Sequence, residues 1–238
     1  MRIENYADFV AALMDIGFSM ATTNSDNIIA LCAYDYQFDA AASHYASVGE
    51  NIRWHTGDPQ TDPWEWRMRV LNERDDIAYA KLFFKKGGYI TREWYPYFLA
   101  ARRGGMDFDD EYADGAISHY AKRIYEAIRA NGALPIHRLK PLIGFSREDQ
   151  SKFARGLVEL QMKMYITTCG SQQKLTKMGE EYGWSSNVFC TTEEFFADAV
   201  FERANEIGET EAAERITERI LRFNPNADQK KIVKFIVG

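Results

Sequence analysis

Apolar residues recur at helical spacing from the start of the chain. Tyr6, Phe9, Val10, Leu13 and Met14 predict an amphipathic helix over residues 5–16. NIIALCAY (27–34) is a short strand by its branched and apolar content. In GDPQTDPWEWRMRV (57–70), Asp62 suits an N-cap and Pro63 a first helical turn. That helix would place Trp64, Arg67 and Leu71 on one face, with Trp66, Arg69 and Val70 beside it. IAYAKLFFKKGGYITREW (77–94) reads as a hairpin whose turn is KKGG, which makes Gly87 and Gly88 turn residues. A helix from Glu93 to Arg103, closed by Gly104 and Gly105, would follow.

The periodicity is clearest downstream. Tyr120, Ile124, Tyr125 and Ile128 predict a helix capped by Ser118 and stopped by Gly132. LPIHRLKPLIG (134–144) is a short second helix between Pro135 and Gly144. A third, over 146–164, carries an apolar stripe of Phe153, Leu157, Leu160 and Met164, with Ser146 and Asp149 as its capping pair. YITTCGSQQKL and SSNVFCTT then read as two strands around a wing. Helix, short helix, helix and two-stranded wing is the order of a winged helix-turn-helix. The tail reads as three helices. The expected fold is α+β and mostly helical: an N-terminal domain with a β-hairpin (1–117), a winged-helix core (118–192) and a helical C-terminal segment (193–238).

With 46% hydrophobic and 27% charged residues, the chain has the balance of a soluble globular protein. No run of about 18 apolar residues exists to span a membrane. The acids within residues 1–20 argue for an amphipathic helix there and against a signal peptide. Three well-separated cysteines, Cys32, Cys169 and Cys190, lack metal spacing and fit a reducing cytoplasm. The net charge of −6 opposes nucleic-acid binding if taken alone. Its distribution changes that picture. Residues 81–105 carry net +5 and residues 118–178 net +7, between acidic blocks of −8, −5 and −5. An anionic partner would meet the basic blocks.

The third helix holds Arg147, Gln150, Lys152, Arg155, Gln161 and Lys163, side chains suited to phosphates and base edges. The acids Glu148, Asp149 and Glu159 dilute that face, and the same fold also serves as a protein-interaction module. His44, His55, His119 and His137 are scattered, so no metal site and no cofactor is expected. The concentrated chemistry lies at 57–70. Asp58, Asp62 and Glu65 are close enough to share a site with Gln60, and a carboxylate beside aromatics can stabilise a developing cation. The same residues also make a packed corner, with Asp58 and Asp62 as turn formers and Trp64 and Trp66 as packing.

QTDPWEWRMRV, GYITREWYPYFLAARR and LPIHRLKPLIGFSREDQSKFARGLVELQMKMYITTCG, in that order, resemble segments of the AlkZ/YcaQ DNA glycosylases, over roughly residues 57–190. That family unhooks alkylated and crosslinked purines. The resemblance implies DNA as partner and excision of modified purines. Asp62 would stabilise the oxocarbenium charge or activate water, and Gln60 would hold the water or sugar. Trp64 or Trp66 would stack on an extruded base, while Arg67 and Arg92 would hold phosphate. Arg147, Gln150, Lys152, Arg155 and Lys163 would contact DNA. Two alternatives stay open. One is a regulatory or protein-interaction module without catalysis. The other is an enzyme acting on a small nucleoside-like ligand.

Overall fold

The computed structural model describes residues 2–21, 28–31, 33–35, 38–41 and 47–238; Cys32 and His44 lie outside them. The fold is α+β, with helix the commoner element. In chain order, β1 (Arg2–Ile3), α1 (Tyr6–Ile16), β2 (Phe18–Met20), β3 (Ala33–Asp35), β4 (Phe38–Ala41) and β5 (Ser47–Val48) precede α2 (Pro63–Glu73). Then come β6 (Ile77–Phe83), β7 (Lys86–Thr91) and α3 (Tyr95–Arg103). Next are α4 (Phe108–Ala113), α5 (His119–Asn131), β8 (Leu134–Pro135), α6 (Ile136–Leu142), α7 (Gln150–Met162), β9 (Ile166–Leu175), β10 (Glu181–Thr191) and α8 (Thr192–Phe195). The chain ends in α9 (Asp198–Glu206), α10 (Glu209–Phe223) and α11 (Gln229–Val237). Two compact units result, Met1–Gly105 with Asp198–Gly238, and Met106–Ala197.

In the first unit, β2 pairs with β7 and β7 with β6, all antiparallel. Of the strand expected at 27–34, Ala30 bridges to Met20 and Ala33–Asp35 pairs with Phe38–Ala41. Helix α1 forms over the expected span: Asn5 caps it and Tyr6, Phe9, Leu13 and Ile16 are buried, whereas Met14 of the expected stripe is exposed. Phe9 stacks on the indole of Trp66, with centroids 4.9 Å apart. Phe83 stacks on Phe235 of α11 at 3.8 Å. Helix α3 begins two residues later than expected and ends at Gly104 in the left-handed region (φ 54°).

The hairpin forms, but its turn is not KKGG. Phe84 and Lys85 make it, at φ 50° and 63°. Both central residues of such a two-residue turn need positive φ. Gly87 and Gly88 instead lie in β7, where neighbouring rings approach the backbone. A Cβ on Gly88 would sit 2.4 Å from the Phe83 ring and 3.1 Å from the Ser19 carbonyl oxygen; one on Gly87 would sit 2.7 Å from the Tyr79 hydroxyl. Gly88→Ala is therefore expected to destabilise the protein by about 1–2 kcal/mol through overpacking. An unchanged denaturation midpoint would show that Phe83 gives way.

In the second unit, β9, β10 and β8 form antiparallel pairs around β10. Ser118 caps α5 and Gly132 ends it, as the pattern predicts. The core is built from Ile124 and Ile128 of α5, Leu139 of α6, and Phe153, Leu157 and Leu160 of α7. Helix α7 starts at Gln150 rather than Ser146. Asp149 Oδ2 accepts from both the Ser146 amide (3.2 Å) and its hydroxyl (2.8 Å), so this pair closes a turn before the helix. The two long strands form, and β10 begins at Glu181, earlier than SSNVFCTT.

Candidate functional site

Asp62 and Pro63 act as the sequence predicts. Asp62 is the extended N-cap residue of α2 and Pro63 opens the helix. The Asp62 carboxylate does more than cap. Its Oδ1 accepts from the amides of Trp64 (2.8 Å) and His55 (3.1 Å), and its Oδ2 from that of Gly57 (2.9 Å). The residue has no exposed surface. Three N–H groups thus fold the 55–62 loop around one buried acid. Asp58 works locally on the outside. It accepts from the Gln60 amide (2.9 Å) and the Thr61 hydroxyl (2.7 Å), which hold its carboxyl below the usual carboxylate range.

Gln60 is exposed and joins the corner through its main chain. Its carbonyl accepts from the Tyr6 amide (2.9 Å) and from Trp66 Nε1 (3.2 Å). The two tryptophans part company. Trp66 is fully buried, whereas Trp64 stays 36% exposed at the surface. The Arg67 guanidinium lies 3.3 Å over the Trp64 ring and donates to the Trp64 carbonyl (3.0 Å). Arg69 donates to the Pro59 carbonyl (2.8 Å), pairs with Glu73 and covers Tyr6. Burial, reinforced by Glu73, pushes the Tyr6 hydroxyl up to about 12. Arg92 donates to the Asp75 carbonyl (2.9 Å) and lines a separate cleft with Trp94 and Tyr97. Residues 57–70 are thus a packed corner in which Asp62, Trp66 and Arg69 are tied to the scaffold.

The second candidate surface belongs to α7 and the β9–β10 hairpin. Arg147, Gln150 and Arg155 are exposed: Arg147 in the turn before α7, Gln150 at its first position, and Arg155 opposite the buried stripe of Phe153, Leu157 and Leu160. Lys152 is half-buried. Its ammonium lies over the Tyr120 ring and 3.4 Å from Asp149, and contacts with both raise its pKa. Lys163 faces away from this surface, and its ammonium bonds the buried carboxylate of Glu111. Gln161 is buried and donates to the Leu157 carbonyl (2.8 Å). Two of the three nearby acids are engaged: Asp149 holds Ser146, and Glu159 accepts from the Ser118 amide and hydroxyl at 2.7 Å each, whereas Glu148 is exposed.

The hairpin adds residues that periodicity does not single out. Trp184 is 90% exposed, on the segment where the register jumps between Tyr182 and Ser186. Gln173 Nε2 bridges that jump to the Gly183 carbonyl (2.8 Å). A sequence signal for the jump exists: Gly183, Trp184, Ser185 and Ser186 break the alternation of a half-buried strand. His137 is held below the usual histidine range by burial and by its neighbours Lys174 and Arg138. Among the described residues no group of three or more His, Cys, Asp or Glu is arranged to hold a metal, and no helix is long and apolar enough to cross a membrane.

The early segments and the helical core around α7 agree with one family of proteins throughout their length. The chain belongs to the AlkZ-related family, whose model matches residues 3–237. No curated protein and no solved structure matches it.

Proposed function

We propose that this AlkZ-related protein binds DNA through residues 106–197, read as a winged helix. In this reading α5, α6 and α7 are the helical part, β8 is the short strand added to β10, and the β9–β10 hairpin is the wing. One observation carries it. Arg147 in the turn before α7, Gln150 at its first position and Arg155 on its outer face are exposed, while the nearby acids Asp149 and Glu159 are engaged within the unit and Glu148 is exposed. Arginine forks and a glutamine amide are suited to phosphates and base edges in a major groove. Residues 106–197 hold 11 basic and 13 acidic residues, so binding rests on this face rather than on net charge. Lys163 is left out of the interface because Glu111 holds it. Lys174 and Arg138, which share His137 as a neighbour, supply further positive charge in the unit.

The reading is recognition without excision by Asp62. Its two oxygens serve two loop amides and the amide of Trp64 in α2, and it has no exposed surface, so it is assigned to the scaffold. Gln60 contributes its carbonyl to the same corner.

Fluorescence anisotropy with duplex DNA tests the proposal. For about four phosphate contacts, affinity is expected to fall roughly a hundredfold between about 50 and 200 mM salt. Arg155→Ala should weaken binding and lower the salt slope by about 1. No binding at the low-salt end, or an Arg155→Ala variant that binds like the parent, would remove the DNA reading. Incubating the protein with alkylated duplex adds a second arm, in which the bases are expected to stay attached.

A further inference from the structure

The first unit contains an open cleft of about 400 Å³ whose lining includes Arg92, Trp94, Tyr97, Val200, Arg203 and Arg215. These residues come from the turn after β7, from α3, from α9 and from α10, segments far apart in sequence. We propose that this cleft binds a nucleoside monophosphate, free or at the 5′ end of a strand. It shares no residue with the α7 surface, so the proposal stands or falls independently of DNA binding there.

Three guanidinium groups on one small cavity suit a phosphomonoester. Arginine offers paired N–H donors that match phosphate oxygens, and it stays charged. Each guanidinium does have a carboxylate beside it, and the exposure of those acids is informative. Arg92 pairs with Asp75 at 3.3 Å, Arg203 with Glu206 at 2.8 Å and Arg215 with Glu218 at 3.3 Å, and the acids are 91%, 65% and 68% exposed. Such solvated pairs contribute little and exchange readily for a better anion. Asp75, Glu206 and Glu218 are not part of the cleft lining, whose single acid is Glu93.

The walls suit the rest of the ligand. The Trp94 and Tyr97 rings stand 5.4 Å apart at an angle of 39°, beside Pro96, Ala199 and Val200. Aromatic and small apolar walls hold a flat base, and the volume lies within the ordinary range for small-ligand sites. Arg203 also lies beside the Tyr97 hydroxyl, which links the anion-binding end to the aromatic end.

Calorimetric titration of the full chain tests this with AMP, adenosine, inorganic phosphate, and a short single strand bearing either a 5′ phosphate or a 5′ hydroxyl. AMP is expected to bind at least about tenfold more tightly than adenosine or inorganic phosphate, a difference of roughly 1.4 kcal/mol. The Arg203→Gln/Arg215→Gln double variant should lose at least about tenfold in AMP affinity, keep its melting temperature, and keep Arg155-dependent duplex binding. Arg92→Gln, outside both helices, should weaken AMP binding in the same direction. Tighter binding of AMP than of the phosphorylated strand identifies a free nucleotide as the source; the reverse order identifies a strand end. The proposal is overturned if AMP binds no better than adenosine or inorganic phosphate. It is also overturned if the double variant binds like the parent, or if AMP gives no heat at about 1 mM, a concentration that registers even weak sites.

Discussion

Replacing Asp62 by alanine is expected to destabilise the first unit by about 3 kcal/mol, because one carboxylate serves three backbone amides. The N-cap bond to Trp64 accounts for about 1 kcal/mol of that, the usual value for losing an acidic cap. The amides of His55 and Gly57 account for the rest, discounted because that loop is partly open to water. At about 2–4 °C per kcal/mol, the melting temperature should fall by roughly 6–12 °C. Asn is the sharper substitution. Asp62→Asn keeps the shape but replaces one acceptor oxygen by a donor, so either Gly57 or the His55–Trp64 pair loses its partner. It should cost about 1–2 kcal/mol. Four of the five tryptophans, Trp54, Trp64, Trp66 and Trp94, lie in the first unit, so intrinsic fluorescence during denaturation reports mainly on it. An Asp62→Asn variant that melts with the parent yet loses a base-releasing activity would reverse the assignment. The acid would then be acting on substrate rather than holding the loop.

A comparable loss is expected at Arg102, where the effect falls on the C-terminal helix. Its Nε donates to the Ile236 carbonyl (2.7 Å) and its Nη2 to that of Phe235 (3.0 Å). These carbonyls belong to the last turn of α11, which has no further turn to satisfy them. A cation there also meets the negative end of the helix dipole. The guanidinium lies within 5.6 Å of the Phe83 and Phe98 ring centroids, and burial pulls its pKa down to about 10, still charged at neutral pH. Arg102→Met retains an apolar stem but removes both charge-assisted bonds, at a cost of about 3 kcal/mol. Amide exchange at the end of α11 should accelerate before global unfolding, and trypsin should cut after Lys234 at lower concentration. A variant whose C-terminal amides stay as protected as the parent's would show that aromatic stacking on Phe235 is enough.

Both residues show where reading the sequence works and where it stops. Asp62-Pro63 is legible because a cap is a local event: the acceptor, the proline and the N–H groups lie within a few residues. The same holds for Ser118 and Gly132 around α5, and for the apolar stripe of α7. KKGG misleads because its local chemistry is ambiguous. Glycine suits a turn, but here Gly87 and Gly88 answer to the Tyr79 and Phe83 rings and to the Ser19 carbonyl. The roles within WEWR are equally hidden. Trp66 meets Phe9 from another helix and becomes core, whereas Trp64, two positions away, meets Arg67 at the surface.

The candidate surfaces divide the same way. Arg155 stays exposed because the helical period places it away from the apolar stripe, and Arg147 and Gln150 because they lie before α7 and at its first position. Lys163 shares their charge but not their fate, since Glu111, 52 residues earlier in the chain, bonds its ammonium. The gathering of Arg92, Arg203 and Arg215 around one cleft has no counterpart in the sequence, where more than a hundred residues separate the first from the second.

Determined by the sequence alone were the α+β class, most helix boundaries, the long hairpin and the apolar stripe of α7 with Arg155 opposite it. These follow from periodicity and capping, which act over a few residues. Tertiary structure decided which acid holds a loop, which tryptophan becomes core, which lysine is withdrawn from the surface and which arginines share a cleft. Those outcomes depend on burial and on partners distant in the chain, and neither is encoded in local spacing.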